Sequence, residues 1–347
     1  MPGATPTFVV NTGRCGSTFL SEILNQHPRV LSLSEFFVSM EPQPFPAGAV
    51  SGEQVAAKLA RNDPLASIAL ASHAEPPEFR YPIDAGKRYD RASGVPAVAA
   101  IALPHLTDDP DTVLDDLITM ASGLPSAPIE QQYLALFDWL CDRFGGDIWV
   151  ERSGGSIQYV PELMARFPGA RYIHLYRDGR ETAISMSTRP NFRVMFIGAD
   201  IERLTGVNPF TTLDPPPLPD LPEPYSRLVP PNFDFQELWD YPIPLERFGL
   251  HWSSSIFRGL RSLRGVDPAQ ILPMAYEDLV TDPTATLDRL ARFMEIDVPD
   301  GWVSWAEAAA KRPPSKWSQL AEPERSRLDA ACRIANRRLY GPAGPPV

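Results

Sequence analysis

The chain reads as an α/β protein: a single three-layer domain in which a central, mostly parallel β-sheet is flanked by helices. Three observations predict it. Short β-branched or aromatic runs alternate along the chain with stretches whose apolar residues recur at helical spacing. Two of the strand-to-helix junctions are tight glycine turns, at Gly13–Gly16 and at Asp178-Gly179. The spacing of strand, helix and next strand leaves room for the right-handed crossovers that parallel sheets need. Ligands of such sheets gather at the strands' carboxyl ends.

Phe8 to Asn11 is the first strand, and it runs through a glycine turn into a helix from Ser17 to Asn25, where Phe19, Leu20, Ile23 and Leu24 form the apolar stripe. Pro28 closes that helix. Val30 to Leu33 is the second strand, delivering Ser34, Glu35, Phe36 and Phe37 at its end. Residues 41–110 dissolve into Pro, Ala and Asp, with one helix expected at Gly52 to Arg61; the segment reads as an insertion or lid. Helices follow at Asp111 to Met120 and Pro128 to Phe144, the second stopped by Gly145 and Gly146. Ile148-Trp149-Val150 is a short buried strand reaching Glu151, Arg152 and Ser153. Val160 to Phe167 is helical, Arg171 to Tyr176 is a strand, and after Arg177-Asp178-Gly179 a helix carries Thr182, Ala183, Ile184 and Ser185. Residues 208–244 hold eleven prolines together with Phe210, Tyr225, Phe233, Phe235, Trp239 and Tyr241. That mixture excludes sheet and helix interior and is too aromatic for a flexible linker, so an ordered loop that packs over something is expected. A helix (Leu245 to Leu263), a strand (Ile271 to Tyr276) and two helices (Thr284 to Met294, Pro323 to Leu339) complete the chain before a Pro/Gly tail.

Composition narrows the function. With 347 residues, 44% hydrophobic and 22% charged, the chain lies outside the disordered and collagen-like classes. A net charge of -11 argues against nucleic acid and polybasic membrane contacts at the level of the whole field, so an anion site must be built locally. Three cysteines (Cys15, Cys141, Cys332) make no disulfide framework and point to a reducing compartment. No apolar run approaches the roughly 18 residues of a membrane span and no basic leader opens the chain, so the expected location is cytoplasmic. The five histidines, His27, His73, His105, His174 and His251, show no ligand spacing, and no metal is expected.

The first glycine turn is a phosphate cradle in outline, because N–H groups entering a helix converge and its dipole adds positive charge. Arg14 supplies a charged donor and Ser17 and Thr18 supply hydroxyls. It is not a Walker A loop, since only two residues separate Gly13 from Gly16 and no Lys follows. A plain βα turn with Ser17 as N-cap would look the same. Arg177 and Ser185, eight residues apart across another strand-to-helix turn, could clamp a second anion, or Arg177 could make a surface ion pair. Cys15 lacks a base partner and is a poor nucleophile candidate.

Thr12-Gly13-Arg14-Cys15-Gly16-Ser17-Thr18 resembles the 5′-phosphosulfate loop of sulfotransferases that use 3′-phosphoadenosine-5′-phosphosulfate (PAPS). Arg177 with Ser185 resembles their 3′-phosphate motif. Tyr276-Glu277-Asp278-Leu279-Val280 before Asp282-Pro283 is similar to a structural stretch of the same family, and Ser315-Lys316-Trp317 to its C-terminal nucleotide loop. The resemblance implies a P-loop-like sulfotransferase fold over residues 1–347, PAPS as donor and adenosine 3′,5′-bisphosphate (PAP) as product. A small-molecule, sugar or lipid hydroxyl is the implied acceptor, with the proline-rich aromatic loop at 208–244 expected over the acceptor site, and a homodimer is left open. Cytosolic animal members carry a Lys where Arg14 stands, as the bacterial branch often does not. They place a catalytic His where this chain has Gly154, two residues after Arg152. The resemblance therefore shifts the general base to Glu35, as in members with a Glu shortly after the first helix, with Arg152 serving the sulfuryl oxygens; a structural carboxylate is the other reading of Glu35. Two further functions share these turns: a kinase-like phosphotransferase, disfavoured by the missing Lys, and a non-catalytic adenosine-bisphosphate-binding module.

Overall fold

The computed structural model describes residues 5–71, 79–83, 86, 88–211, 217–219, 221–229 and 233–345. Parts of the expected insertion at 41–110 and of the proline-rich stretch at 208–244 lie outside the described residues. The chain folds into two compact units: Met1–Val38, Pro128–Ser185 and Leu245–Val347 form the first, Ser39–Ala127 and Met186–Pro244 the second.

The first unit holds a five-stranded sheet. Its strands are β1 (Thr7–Val10), β2 (Val30–Ser34), β3 (Ile148–Arg152), β4 (Arg171–Tyr176) and β5 (Ile271–Ala275), in spatial order β2-β3-β1-β4-β5. Every pairing is parallel, with Phe8 opposite Glu151 and Val10 opposite His174. The chain leaves β1 toward β2 on one side and leaves β4 toward β5 on the other. The gap between β1 and β4 is therefore a topological switch point, where the carboxyl ends of the two strands open a crevice.

Strand alternation sorts the sheet into two chemically distinct faces. Val9, Val150, Ile173, Leu175 and Met274 join an aliphatic core with Leu20, Ile23 and Leu24 of the helix α1 (Ser17–Leu24), with Leu287 and Leu290 of Pro283–Met294, and with Trp302. Their neighbours Phe8, Trp149 and Tyr172 point the other way. There Phe8 meets Phe37, Trp149, Phe167 and Tyr172 with ring centroids 5.1 to 6.1 Å apart, and Phe137 of the helix Ile129–Phe144 packs on Trp149 at 4.9 Å. Truncating one such buried aromatic typically costs about 3–5 kcal/mol.

In the second unit, Ser51 and Gln54 cap the helix Gly52–Leu59 reciprocally. Gly52 admits close packing, since a Cβ there would lie 2.3 Å from the Ala121 carbonyl oxygen. The helix Pro190–Thr205 begins on a proline, which its first turn tolerates because that N–H is unpaired anyway. Its Val194, Ile197 and Ile201 form a core with Phe210, Leu228, Val229 and Leu238, against which Tyr225, Phe233, Phe235 and Tyr241 pack. Arg193 holds this layer together, donating to the carbonyls of Leu238, Trp239 and Tyr241. Much of the aromatic surface of the proline-rich stretch is thus engaged in its own core.

Candidate active site

β1 is followed by Asn11, which is fully buried and braces the turn. Its Oδ1 accepts the Gly13 N–H at 2.7 Å, and its Nδ2 donates to the Ser153 carbonyl at 2.9 Å. Gly13 (φ 78°), Arg14 (φ 57°) and Gly16 (φ 89°) are all left-handed, which turns peptide N–H groups toward the concave side of the loop. Gly16 occupies the N-cap position of α1, and among the described residues no side chain caps that helix. Its first-turn N–H groups therefore lack the partner that a capping Ser would give them. Ser17 lies inside the helix rather than at its cap.

Glycine is obligatory at position 16 for a second reason. A Cβ there would sit 2.1 Å from the ring of Tyr276. Arg177 in turn lies over that ring, its guanidinium carbon 4.8 Å from the centroid. The loop, Tyr276 and Arg177 are thus stacked in order. Across the crevice the Nε of Arg14 donates to the Ser185 hydroxyl at 3.2 Å, so the two anion turns read from the sequence meet directly.

At the end of β2, Glu35 is also left-handed (φ 57°). Its backbone N–H continues the ladder to the Arg152 carbonyl at 2.8 Å. One carboxylate oxygen accepts from Arg152 Nη1, the other from the Gly154 N–H at 2.8 Å. Arg152 is almost wholly buried, its Nη2 donates to Ser34 Oγ at 2.9 Å, and its Nε is buried with no partner among the described residues. The missing histidine position, Gly154, serves here as an N–H donor to the carboxylate. Phe36 and Phe37 turn into the aromatic cluster of Tyr133 and Phe137. Burial pushes the Cys15 thiol up to about 12, opposed in part by the charges of Arg152 and Arg177. A thiol held protonated by burial is a poor nucleophile, and the charges of both guanidiniums act on it.

The C-terminal loop reaches the same place. Glu181 accepts from the Ser315 hydroxyl at 2.7 Å and from the N–H groups of Lys316 and Trp317 at 3.2 and 3.1 Å. The indole of Trp317 lies under Arg180, 4.0 Å from its guanidinium carbon. Arg177, Arg180, Tyr276, Arg312, Ser315 and Trp317 line one cavity of about 350 Å³. Ser315 and Trp317 are so committed to Glu181 that their contribution is to shape this wall. Behind it, Asp178 is buried against Arg180 and Asn336, and Glu277 accepts from the Asp178 N–H at 3.0 Å and from Tyr340 at 2.6 Å. Burial raises the Glu277 carboxyl above its ordinary range.

All the residues singled out in the sequence for donor binding and chemistry lie in the first unit. Thr12, Gly13, Arg14, Cys15, Gly16, Ser17 and Thr18 form the loop, and Arg177 with Ser315 and Trp317 shares the cavity. Lys316 contributes its backbone N–H. Sequence reasoning missed Tyr276 as a loop contact, Arg312 in the cavity wall and Glu181 as the loop's anchor; only Glu181, in the first turn after Asp178-Gly179, carried a local signal. Among the described residues no group of three or more His, Cys, Asp or Glu could hold a metal, and no helix is long and apolar enough to cross a membrane.

The sequence model of a family described as "Sulfotransferase family" matches residues 6–202 and 235–300. Among solved structures, a sulfotransferase domain from the curacin biosynthetic pathway is 15% identical, with 95% of this chain and 97% of that one covered at a TM-score of 0.48. A sulfotransferase from Mycobacterium avium is 16% identical, with 95% and 76% covered at 0.45. A mouse sulfotransferase solved as a complex with PAP is 9% identical, with 98% and 88% covered at 0.43. No curated protein matches the chain.

Proposed function

The chain belongs to the sulfotransferase family, and from that premise we propose that it moves a sulfuryl group from PAPS to a hydroxyl of a small-molecule, sugar or lipid acceptor, with Glu35 as general base. The observation that carries this reading is the Arg14–Ser185 contact, which joins the two anion turns across the switch point. A donor with phosphates on both the 5′ and 3′ sides needs two such turns in one crevice. A nucleoside triphosphate, with its charge in one chain, needs only one.

The residues fit the donor on two counts besides. The loop offers left-handed glycines and an uncapped helix start, and the buried Nε of Arg152 lacks a partner among the described residues. The loop N–H groups and Arg14 would hold the 5′ side, and Arg177 with the wall of Tyr276, Arg312 and Ser315 the 3′ side. PAPS supplies an activated sulfuryl group on a good leaving phosphate. In the transfer, the acceptor oxygen bonds to sulfur as the bond from sulfur to the phosphate oxygen breaks, and the acceptor proton goes to Glu35. Arg152 has two tasks: its guanidinium orients the Glu35 carboxylate, and it offsets charge on the sulfuryl oxygens.

The test is sulfate transfer from labelled PAPS to a panel of alcohols, phenols and sugars, with calorimetry of PAP against ADP. Transfer, and PAP binding far tighter than ADP, support the reading; phosphoryl transfer from ATP with Mg²⁺ in place of sulfate transfer overturns it. Arg177→Ala is expected to remove most of the preference for PAP over ADP.

A further inference from the structure

Glu151 is the least expected residue of the sheet: a carboxyl on β3, 1% exposed, opposite Phe8 and on the same aromatic face as Trp149. Its Oε1 accepts from the Phe37 N–H at 3.2 Å and from the Ser153 hydroxyl at 2.5 Å, while its Oε2 is buried with no partner among the described residues. Ser153 Oγ itself accepts from the N–H groups of Phe37 and Val38 at 3.1 and 3.3 Å. Together the two side chains cap the short turn Phe36–Ser39 that begins one residue after Glu35.

We propose that Glu151 is a positioning residue for Glu35, acting through this cap, which rests on Glu35 being the base. Glu35 sits in a left-handed conformation that a non-glycine residue keeps only when its neighbours hold it on both sides. On the preceding side the ladder bond to Arg152 does so. On the following side the Glu151–Ser153 cap fixes Phe37, and with it the direction in which the Glu35 side chain leaves the backbone toward Gly154 and Arg152. A hydrophobic residue would satisfy the aromatic face better than a carboxyl; the acceptor for Phe37 is what a carboxyl adds. Burial pushes Glu151 up to about 8, against the smaller pulls of Ser153, Phe37 and Arg152. The charged groups that face it are Glu35, from the β2 end, and Arg152, on its own strand. Around neutral pH the neutral acid therefore caps the turn without competing for Arg152. Above about pH 8 a second carboxylate lies within electrostatic reach of Glu35.

The experiment compares Glu151→Gln, Glu151→Leu and Glu35→Gln in the full chain. It reads single-turnover sulfate transfer from labelled PAPS to the best acceptor of the panel, PAP affinity by calorimetry, and the pH profile. Glu151→Leu should lower turnover roughly 10- to 100-fold, the range of a misplaced catalytic group, with PAP affinity unchanged. Glu151→Gln, which keeps the acceptor oxygen, should restore turnover at pH 7 and abolish the wild-type fall above pH 8. Wild-type turnover in Glu151→Leu, a loss mirrored in PAP affinity, or Glu151→Gln as slow as Glu151→Leu overturns the proposal. Wild-type turnover in Glu35→Gln overturns the assignment of the base itself, and this proposal with it; a slow Glu35→Gln beside a normal Glu151→Leu overturns this proposal alone. If Glu151→Leu does not fold, Ser153→Ala removes the same cap from its other end and takes its place, with the same outcomes.

Discussion

Of the four described non-glycine residues with left-handed backbone, two are Arg14 and Glu35, the donor and the base that the sequence singled out. Such a conformation costs of order 1–3 kcal/mol and persists where surrounding bonds over-determine it, as the contacts with Arg152 and Gly154 do at Glu35. Glu35→Gln keeps the volume and the Gly154 contact and removes the base. It should lower turnover 10²- to 10⁴-fold, roughly the loss typical of a general base, with PAP affinity little changed; single-turnover transfer at saturating PAPS is the check. Gly16→Ala should abolish PAP binding in a calorimeter, since the loop cannot place a methyl group at a left-handed site that Tyr276 already fills. Glu151 also makes a prediction for stability. Its folded pKa of about 8 lies above the ordinary carboxyl value of 4.5, so the folded state holds the proton more tightly. Stability from this group is therefore complete below about pH 4.5 and declines as pH rises to about 8. Thermal melts of Glu151→Gln against wild type should show the variant gaining steadily between pH 5 and 8.

At the scale of elements, the five strands and the helices of the first unit were largely legible, because alternation and helical spacing are local signals. The first strand shifted by one residue, to Thr7–Val10, and β4 was read with its ends correct. The helix Pro190–Thr205 escaped because Arg189-Pro190 reads as a break, although Pro is at home in a first turn and Val194, Ile197 and Ile201 mark the buried stripe. Trp302–Ala309 escaped because a helix of only two turns shows little period. Of the site, the loop and Arg177 were legible from residue types alone. The role of Glu151 was not: adjacent residues on a strand face opposite sides, and only the sheet shows that Arg152 faces the chemistry while Glu151 faces Phe8. Nor was the anchoring of the 315–317 loop by a single carboxylate. Glu181→Ala should release that loop and weaken PAP binding by about tenfold, the worth of one or two hydrogen bonds to a charged group, while leaving the melting temperature nearly unchanged; calorimetry beside a thermal melt tests both halves.

For the whole molecule, donor and acceptor call for two kinds of change. If the proline-rich stretch at 208–244 covers the acceptor, as the sequence leads one to expect, deleting residues 217–229 should raise the acceptor concentration needed for half-maximal transfer and leave PAP binding intact; loss of both in a folded chain would count against that expectation. The donor side is different, because its loop is shaped by distant parts of the chain. Gly16 is moulded against Tyr276, Gly179 is held by Asn336, and Trp302 donates to the Ile23 carbonyl across 279 positions. During synthesis, then, the loop at 12–18 leaves the ribosome long before Tyr276, Trp302 and Asn336, and waits for them to take its form. A nascent chain stalled before β5 presents the motif without the pocket, so anion capture is deferred until β5 and the segments after it have followed.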